Sequence, residues 1–456
     1  ALPICSLLSD SIVQSQYVEW LDRCIALGQK EIIRLSQNED LLKNAQSTLD
    51  KMTRLREDFV EKYNCNLIKE FAYFARKDMI EILSSCGTYA FLPFYSDLPE
   101  ILNAQVETGI ISHKNYFGFA PDGFYLPYQG YSKGLERVLR SYGISYTILD
   151  AQSLLFSENP PETGIFTPLR TWNSLVVFGS DSQIRNQFSG EDGFISNKIY
   201  KNQNRDIGFE LSGEEISGFV QPDSPRTNTL FRYWSNDDSV YDEQKALEQA
   251  RNDAKEFFNS KKEKLDKVSE SVENPCLICA IDARFLGKDW AEGMVFLEEV
   301  LRQNAKINFA CPGELFKEPF KLEKITPYPS AASGQGYGED LLDSSNSWML
   351  RYTRKMCERM VDLAGRFPEE SGLKERLLVL GAKELLLAQS AELSKMIHKG
   401  ELPDFAKNSF TQSVKDFTTV FDSLGTNLVS TEWLTKLEKE HNLFPWMNYR
   451  IFSKKI

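Results

Sequence analysis

Several short apolar runs in this chain lack a regular polar alternation. Tyr146-Thr147-Ile148-Leu149, Leu175-Val176-Val177-Phe178, Cys276-Leu277-Ile278-Cys279-Ala280-Ile281 and Ile307-Asn308-Phe309-Ala310 are the clearest. A strand that is apolar on both faces must be covered on both faces, which is the situation of a strand in a parallel sheet flanked by helices. Helix-like stretches lie among these runs, at 133–142, at Glu243 to Val272 and at 290–303. Strands alternating with helices predict parallel β/α units. Gly87 to Pro93 and Gly123 to Pro127 read as two further buried strands with the loops that follow them.

The flanks have a different texture. Leu21, Ile25, Ile32 and Leu35 recur at helical intervals within 15–83, with Asp22, Arg23, Lys30 and Glu31 between them. Residues 99–117 read as helix, and 180–240, rich in Ser, Asn, Asp and Gly, as long loops. The small, glycine-containing stretch 330–338 reads as a connection. Beyond Ser344 the pattern is helical almost throughout, clearest at Ser347 to Ala364, Leu373 to His398 and Asn408 to Leu424. The expectation is an α/β barrel over 1–325 followed by a helical domain over 326–456. A chain of 456 residues exceeds one simple core, which agrees with that division. Sites in β/α barrels lie past the carboxyl ends of the strands, where Tyr89, Tyr128 and Asp282 fall.

The formal charge is −12, so a nucleic-acid backbone or an anionic membrane is not the expected partner. No run approaches the ~18 apolar residues of a membrane span. The start, Ala1-Leu2-Pro3-Ile4-Cys5, has no basic region of the kind that opens a signal peptide, and the expected compartment is the cytoplasm. Aromatic residues are abundant, and most belong in the core. Flat apolar rings also suit the faces of sugars, so a minority can line a groove.

Eight cysteines are scattered through apolar runs, the pattern of reduced buried thiols rather than of a disulfide framework. Cys276 and Cys279 are spaced as C-x-x-C, but no second pair or nearby His completes a tetrahedral site. In a strand their side chains face opposite sides. The three histidines, His113, His398 and His441, have no metal-ligand spacing. The sequence calls for no cofactor and no metal, and carries no signal for an oligomeric state.

Five motifs in order resemble glycoside hydrolase family 57, especially its α-1,4-glucan branching-enzyme group. Gly87-Thr88-Tyr89-Ala90-Phe91-Leu92-Pro93 resembles the family's A-T-H-G-F-L-P. Gly123-Phe124-Tyr125-Leu126-Pro127-Tyr128-Gln129-Gly130-Tyr131 resembles G-F-W-L-P-E-C-A-Y. Asn204-Arg205-Asp206-Ile207-Gly208 resembles Y-R-D-I-G. The run from Ile281 to Gly293 resembles F-D-x-E-L-F-G-H-W-W-x-E-G. Glu384 to Ser390 and Asn442-Leu443-Phe444-Pro445 resemble the family's helical end. The family's first motif, H-A-H-L-P, would fall at Ala1-Leu2-Pro3, without its histidines.

The resemblance implies an incomplete (β/α)7 barrel with a C-terminal helical domain, and retaining chemistry on α-glucans. Such chemistry uses two carboxyl groups about 5 Å apart, one as nucleophile and one as acid/base. Asp282 corresponds to the acid/base. Tyr128 stands where the family has its nucleophilic Glu. Tyr89 and Lys288 stand at substrate-holding histidines, Asp289 at one of the paired tryptophans, and Phe194 at a loop tyrosine. Trp290 is a candidate sugar platform, with core packing as its plain alternative. Asp282 is alternatively a salt-bridge partner of Arg284 or Lys288. Glu292 suits a cap or ion pair on the helix that follows.

Tyr for Glu removes a group that is ionised at neutral pH, since a free phenol has a pKa of about 10. The leading expectation is a divergent family member without standard branching or amylase activity that binds an α-glucan or another carbohydrate. A second reading is altered retaining chemistry using Tyr128 and Asp282, as sialidases use a Tyr nucleophile. It needs a carboxylate to take the phenol proton, or Lys288 to lower its pKa. Glu191, Asp192 and Asp206 are candidates for a replacement nucleophile. A third reading is a non-catalytic scaffold with a filled cleft.

Overall fold

Tyr146–Leu149 (β2) and Val176–Gly179 (β4) are buried at every position, as their unalternated apolar runs require, and they pair in parallel. They form the centre of a five-stranded sheet in the order β1-β2-β4-β3-β5, with β1 at Gly123–Phe124, β3 at Leu169–Thr171 and β5 at Lys324–Ile325. Strand β3 runs antiparallel to β4 and parallel to β5. A bridge from Ser84 to Phe124 extends the sheet beyond β1. The computed structural model describes residues 4–219, 226–304, 307–316, 318–426 and 428–454. Ala1-Leu2-Pro3, where the family's first motif would fall, lies outside them. The chain divides into two compact units, one built from the segments up to Leu7, Phe71–Ser180 and Cys311 onward, the other from Leu8–Glu70 and Asp181–Ala310.

In the first unit the sheet is accompanied by helices, matching the expected mixed α/β class with a helical C-terminal region. The helix Pro99–Phe117 lies directly on the backbone beside the sheet edge. A Cβ at Gly109 would stand 1.7 Å from Ser85 O, so only glycine fits there. The helices Ser347–Arg366, Gly372–Ala388, Ala391–Lys399, Pro403–Thr426 and Thr431–Glu440 make up the C-terminal part. Leu377, Leu378, Leu385 and Leu386 of the second of these are fully buried, and each contributes roughly 1.5–3 kcal/mol.

The expected single helix from Leu373 to His398 is two helices, broken at Gln389-Ser390. Polar groups hold the break. Gln389 Oε1 accepts from buried Gln105 Nε2 at 2.8 Å, and Gln105 Nε2 also donates to Thr88 Oγ1 at 3.1 Å. Thr88 in turn donates to Leu386 O. Ser390 leaves the helix in extended conformation and bridges to Ala90.

The second unit is helical with long ordered loops. Ser11–Arg34 is capped by Asp10, which accepts from Ile12 N and Val13 N, and packs on Glu39–Glu57 around Leu21, Cys24, Ala45 and Met52. In Glu243–Val268 the small residues Ala246, Ala250 and Ala254 share one helix face at intervals of four. That face lets the rings of Phe188, Trp290 and Phe296 approach closely. The 180–240 region is irregular, as expected, but it is not loose. Asp206 is fully buried and accepts from Gly208 N, Thr229 N, Thr229 Oγ1 and Leu230 N at 2.6–2.9 Å.

Three strand expectations need correction. Gly87 to Pro93 is interrupted by the left-handed backbone of Tyr89 (φ 57°) and runs into a 3-10 turn at Leu92–Tyr95. Residues 276–281 are extended, with Ile278 O accepting from Asp181 N at 2.8 Å, but Ile278 makes only a single β-bridge and the segment forms no extended strand. Ile307 to Ala310 is irregular. Apolar content predicts burial of a short run, whereas a ladder also needs a neighbour in register. Strands β3 and β5 were missed because Leu169-Arg170-Thr171 and Lys324-Ile325 carry charge.

Candidate active site

Tyr128 is the middle residue of a short 3-10 turn, Pro127–Gln129, that follows the end of β1. It is left-handed (φ 54°, ψ 24°), and so is Gln129 (φ 51°). Consecutive non-glycine residues in this region cost of order 1–3 kcal/mol each, and such strain persists only where the surroundings impose it. Here the surroundings are specific. Tyr128 O accepts from Ala332 N at 2.7 Å, and Gln129 Oε1 accepts from Ser180 Oγ at 2.8 Å. The Tyr128 ring rests on a small apolar cluster of Phe91, Ala331, Leu341 and Ala391.

The strained turn presents the phenol to the helix that starts after Ser390. Tyr128 Oη donates to Glu392 Oε1. Tyr89 packs edge-on against Tyr128, with ring centroids 5.4 Å apart and planes at 65°. Tyr89 O accepts from Ala391 N at 3.3 Å, so both tyrosines hold the same helix start. A carboxylate in the first turn of a helix also benefits from the amide dipoles there. One turn further on, Lys395 Nζ lies 5.7 Å from the Tyr128 ring centroid. It pairs with Asp340 and donates to Ser333 Oγ at 3.0 Å. Burial pushes the Asp340 carboxyl up, but hydrogen bonds from Lys395 and Ser333 outweigh it and hold the group below its ordinary value.

Tyr89 and Glu392 also border a largely apolar cleft of about 520 Å³, whose other walls include Ile4, Leu83, Cys86 and Phe117. His113 lines it too. Its Nε2 has no hydrogen-bond partner among the described residues, and burial pushes its pKa down to about 4.

In the second unit Asp282 caps the turn Ala283–Phe285, accepting from Arg284 N at 2.9 Å. Its other oxygen accepts from Arg284 Nε at 3.0 Å and Nη2 at 2.7 Å. Asp282 is thus an exposed carboxylate in an ion pair with Arg284. Asp289 lies 4.0 Å from the same guanidinium, and Lys288, largely exposed, is 3.6 Å from Asp289.

Trp290 is buried to 1% exposure and Phe194 stacks beside it, centroids 6.4 Å apart and planes 12° from parallel. Trp290 belongs to the core cluster around Phe188 and Phe296, where protein covers its faces, and Phe194, partly buried, packs against that cluster. Glu292 is buried, accepting from Tyr241 Oη at 2.6 Å and Lys201 N at 3.3 Å. Asp206 is saturated by four donors and pairs with Arg232, so it is a loop staple and not a replacement nucleophile. Glu191 and Asp192 are exposed on their loop. The C-x-x-C thiols are pushed up to about 11 by burial, which leaves them protonated and unreactive at neutral pH.

Two residues at this site were not anticipated, Glu392 and Lys395. Nothing local marked them: Ser390 precedes the helix without a side-chain capping bond, and no sequence pattern joins Glu392 to Tyr128, while Lys395 shares the Glu392 face one turn on. Among the described residues no helix is long and apolar enough to cross a membrane.

Comparison with known proteins agrees with this architecture. Residues 12–328 match the family model for glycosyl hydrolase family 57, and residues 352–452 match that for the C-terminal region of 1,4-α-glucan branching enzymes. The 1,4-α-glucan branching enzyme TK1436 of Thermococcus kodakarensis is 20% identical over 95% of this chain. The chain spans 66% of that relative's length, just under two thirds. The crystal structure of the α-amylase AmyC from Thermotoga maritima superposes with a TM-score of 0.92 at 25% identity, covering 100% of this chain and 88% of that one. The GH57-type branching enzyme of Pyrococcus horikoshii shares the fold, with a TM-score of 0.87 at 18% identity and coverage of 99% and 86%. On the family match over residues 12–328, together with this shared fold, the chain belongs to glycosyl hydrolase family 57.

Proposed function

We propose that this protein is a divergent family 57 member that binds an α-glucan or a related carbohydrate without catalysing the family's standard double displacement. The observation that carries this reading is the Tyr128–Glu392 hydrogen bond. At the position of the family's nucleophilic Glu stands a phenol, and its hydroxyl is engaged as a donor to a carboxylate. Lys395, the cation nearest the ring, is already paired with Asp340. A site built this way offers, where the family's chemistry uses a carboxylate, a phenol hydroxyl that is already engaged as a donor.

On this reading Asp282 is the remaining family carboxylate, and Tyr89, Lys288 and Asp289 occupy altered substrate-holding positions. The two model matches support a barrel over 1–325 and a helical domain over 326–456. The eight free cysteines support the cytoplasm as the compartment. The branching or amylase activity of the relatives belongs to those proteins. For this chain, incubation with amylose is the test, read for reducing ends and for new branches.

A second reading is favoured by one observation. A tyrosine nucleophile requires a base within hydrogen-bond reach, and Glu392 is one. The Tyr128 oxygen would then bond to the anomeric carbon as Glu392 takes its proton and the glycosidic C–O bond breaks, the leaving oxygen taking a proton from an acid, the part that the family resemblance assigns to Asp282. This reading requires turnover that disappears in Tyr128→Phe while the fold is retained.

A further inference from the structure

We propose that Phe156, Tyr328 and Tyr337 form a second carbohydrate platform, outside the Tyr128 cleft, for the chain of an α-1,4-linked glucan. The proposal rests on the reading of the protein as a glucan binder. The three rings are 57%, 40% and 55% exposed; other rings such as Trp172 and Phe320 are exposed too, and what sets these three apart is that they lie together. Phe156 and Tyr328 have centroids 6.3 Å apart and planes at 82°, so they form a corner. Tyr337 lies next to Tyr328.

The platform is anchored. Tyr328 N donates to Ser153 O at 2.7 Å, and Ser153 Oγ meets Ser330 Oγ at 2.7 Å. Gly336, at φ +118°, approaches the Gln152 side chain so closely that a Cβ there would stand 2.4 Å from Oε1. Rings held by backbone bonds of this kind lose little freedom when a ligand arrives.

The chemistry of the patch selects the occupant. Glucose has an apolar C–H face and a rim of hydroxyls. It matches rings that are bordered by phenol hydroxyls and by the Gln152 amide better than a purely apolar partner does. An α-1,4-linked chain curves at each linkage, which suits a corner of rings. The loop that carries Tyr328 and Tyr337 also donates Ala332 N to Tyr128 O, which fixes it to the turn of the candidate site. A polymer offers many glucose units to the rings, so it should bind more tightly than maltose.

The experiment is native electrophoresis through gels containing soluble amylopectin, comparing wild type with Phe156→Ala/Tyr337→Ala. The expected result is retardation of wild type and a roughly ten-fold weaker apparent affinity in the double variant, about 1.4 kcal/mol for the two rings together. Tyr328→Phe, which keeps its ring, should remain retarded. Equal retardation of wild type and double variant would overturn the platform while leaving glucan binding intact. No retardation of wild type would overturn both. The altered side chains are exposed, so the melting temperature should be unchanged. Should the double variant misfold, Tyr337→Ala alone carries the test.

Discussion

The Tyr128 hydroxyl donates a hydrogen bond to the Glu392 carboxylate across 264 residues of sequence. The bond ties the turn after β1 to a helix start in the C-terminal region. It depends on two local irregularities, the left-handed backbone at Tyr128 and the helix break at Gln389-Ser390. Neither irregularity contributes stability by itself, so the contact they create is the reason to expect both.

That contact can be measured by a double-mutant cycle. Tyr128→Phe and Glu392→Gln should each destabilise the protein by about 1–2 kcal/mol. The pair should be non-additive by about 1 kcal/mol, because either change alone already breaks the bond. Urea denaturation of the four proteins gives the coupling. Simple additivity would mean that the bond does not persist in solution.

Asp206 should be indispensable to the fold. It is fully buried, accepts four hydrogen bonds and pairs with Arg232. Asp206→Ala should cost about 3–5 kcal/mol, since Arg232 is left buried without its partner. Thermal melting reads this directly. A variant with wild-type stability would reopen a chemical role for this carboxylate.

His113 should give the protein an acid-side weakness. Burial lowers its pKa in the fold from 6.5 to about 4. Between these values the unfolded chain binds the proton and the folded one does not. Stability should therefore be complete above pH 6.5 and decline as pH falls toward about 4. His113→Gln should flatten the stability curve in that window. An unchanged slope would show that some other group sets it.

Asp340 should act at lower pH. Its folded pKa lies below the ordinary carboxylate value of about 3.9, so its contribution is fully present above that value. The contribution disappears as pH falls through the lowered folded pKa. Asp340→Asn should lose about 3 kcal/mol at neutral pH by leaving Lys395 unpaired, and the difference from wild type should shrink in strong acid. Urea midpoints at neutral and strongly acidic pH compare the two.

The central strands, the α/β class and most helices were legible because each rests on local periodicity and burial. Tyr146–Leu149 and Val176–Gly179 are examples. The split of Leu373 to His398 was not legible, because it is imposed by Gln105 and Thr88 from a distant part of the chain. Tyr128 and Tyr89 could be chosen from motif position, but their partner Glu392 could not, since nothing local joins residues 128 and 392. For Trp290 the sequence left two readings, a sugar platform from its motif position and plain core packing, and the structure has the second: the alanine face of Glu243–Val268 and its aromatic neighbours bury the ring.

Incubation of the purified protein with amylose tests the central claim most directly, with reducing-end release and branch formation both read. Tyr128→Phe and Asp282→Asn serve beside wild type. Asp282 is in an exposed pair, so its replacement should change stability by less than about 1 kcal/mol and leave a folded control. The account predicts no turnover in any of the three proteins. Turnover by wild type that vanishes in both variants would contradict it and establish a tyrosine-dependent glucan enzyme.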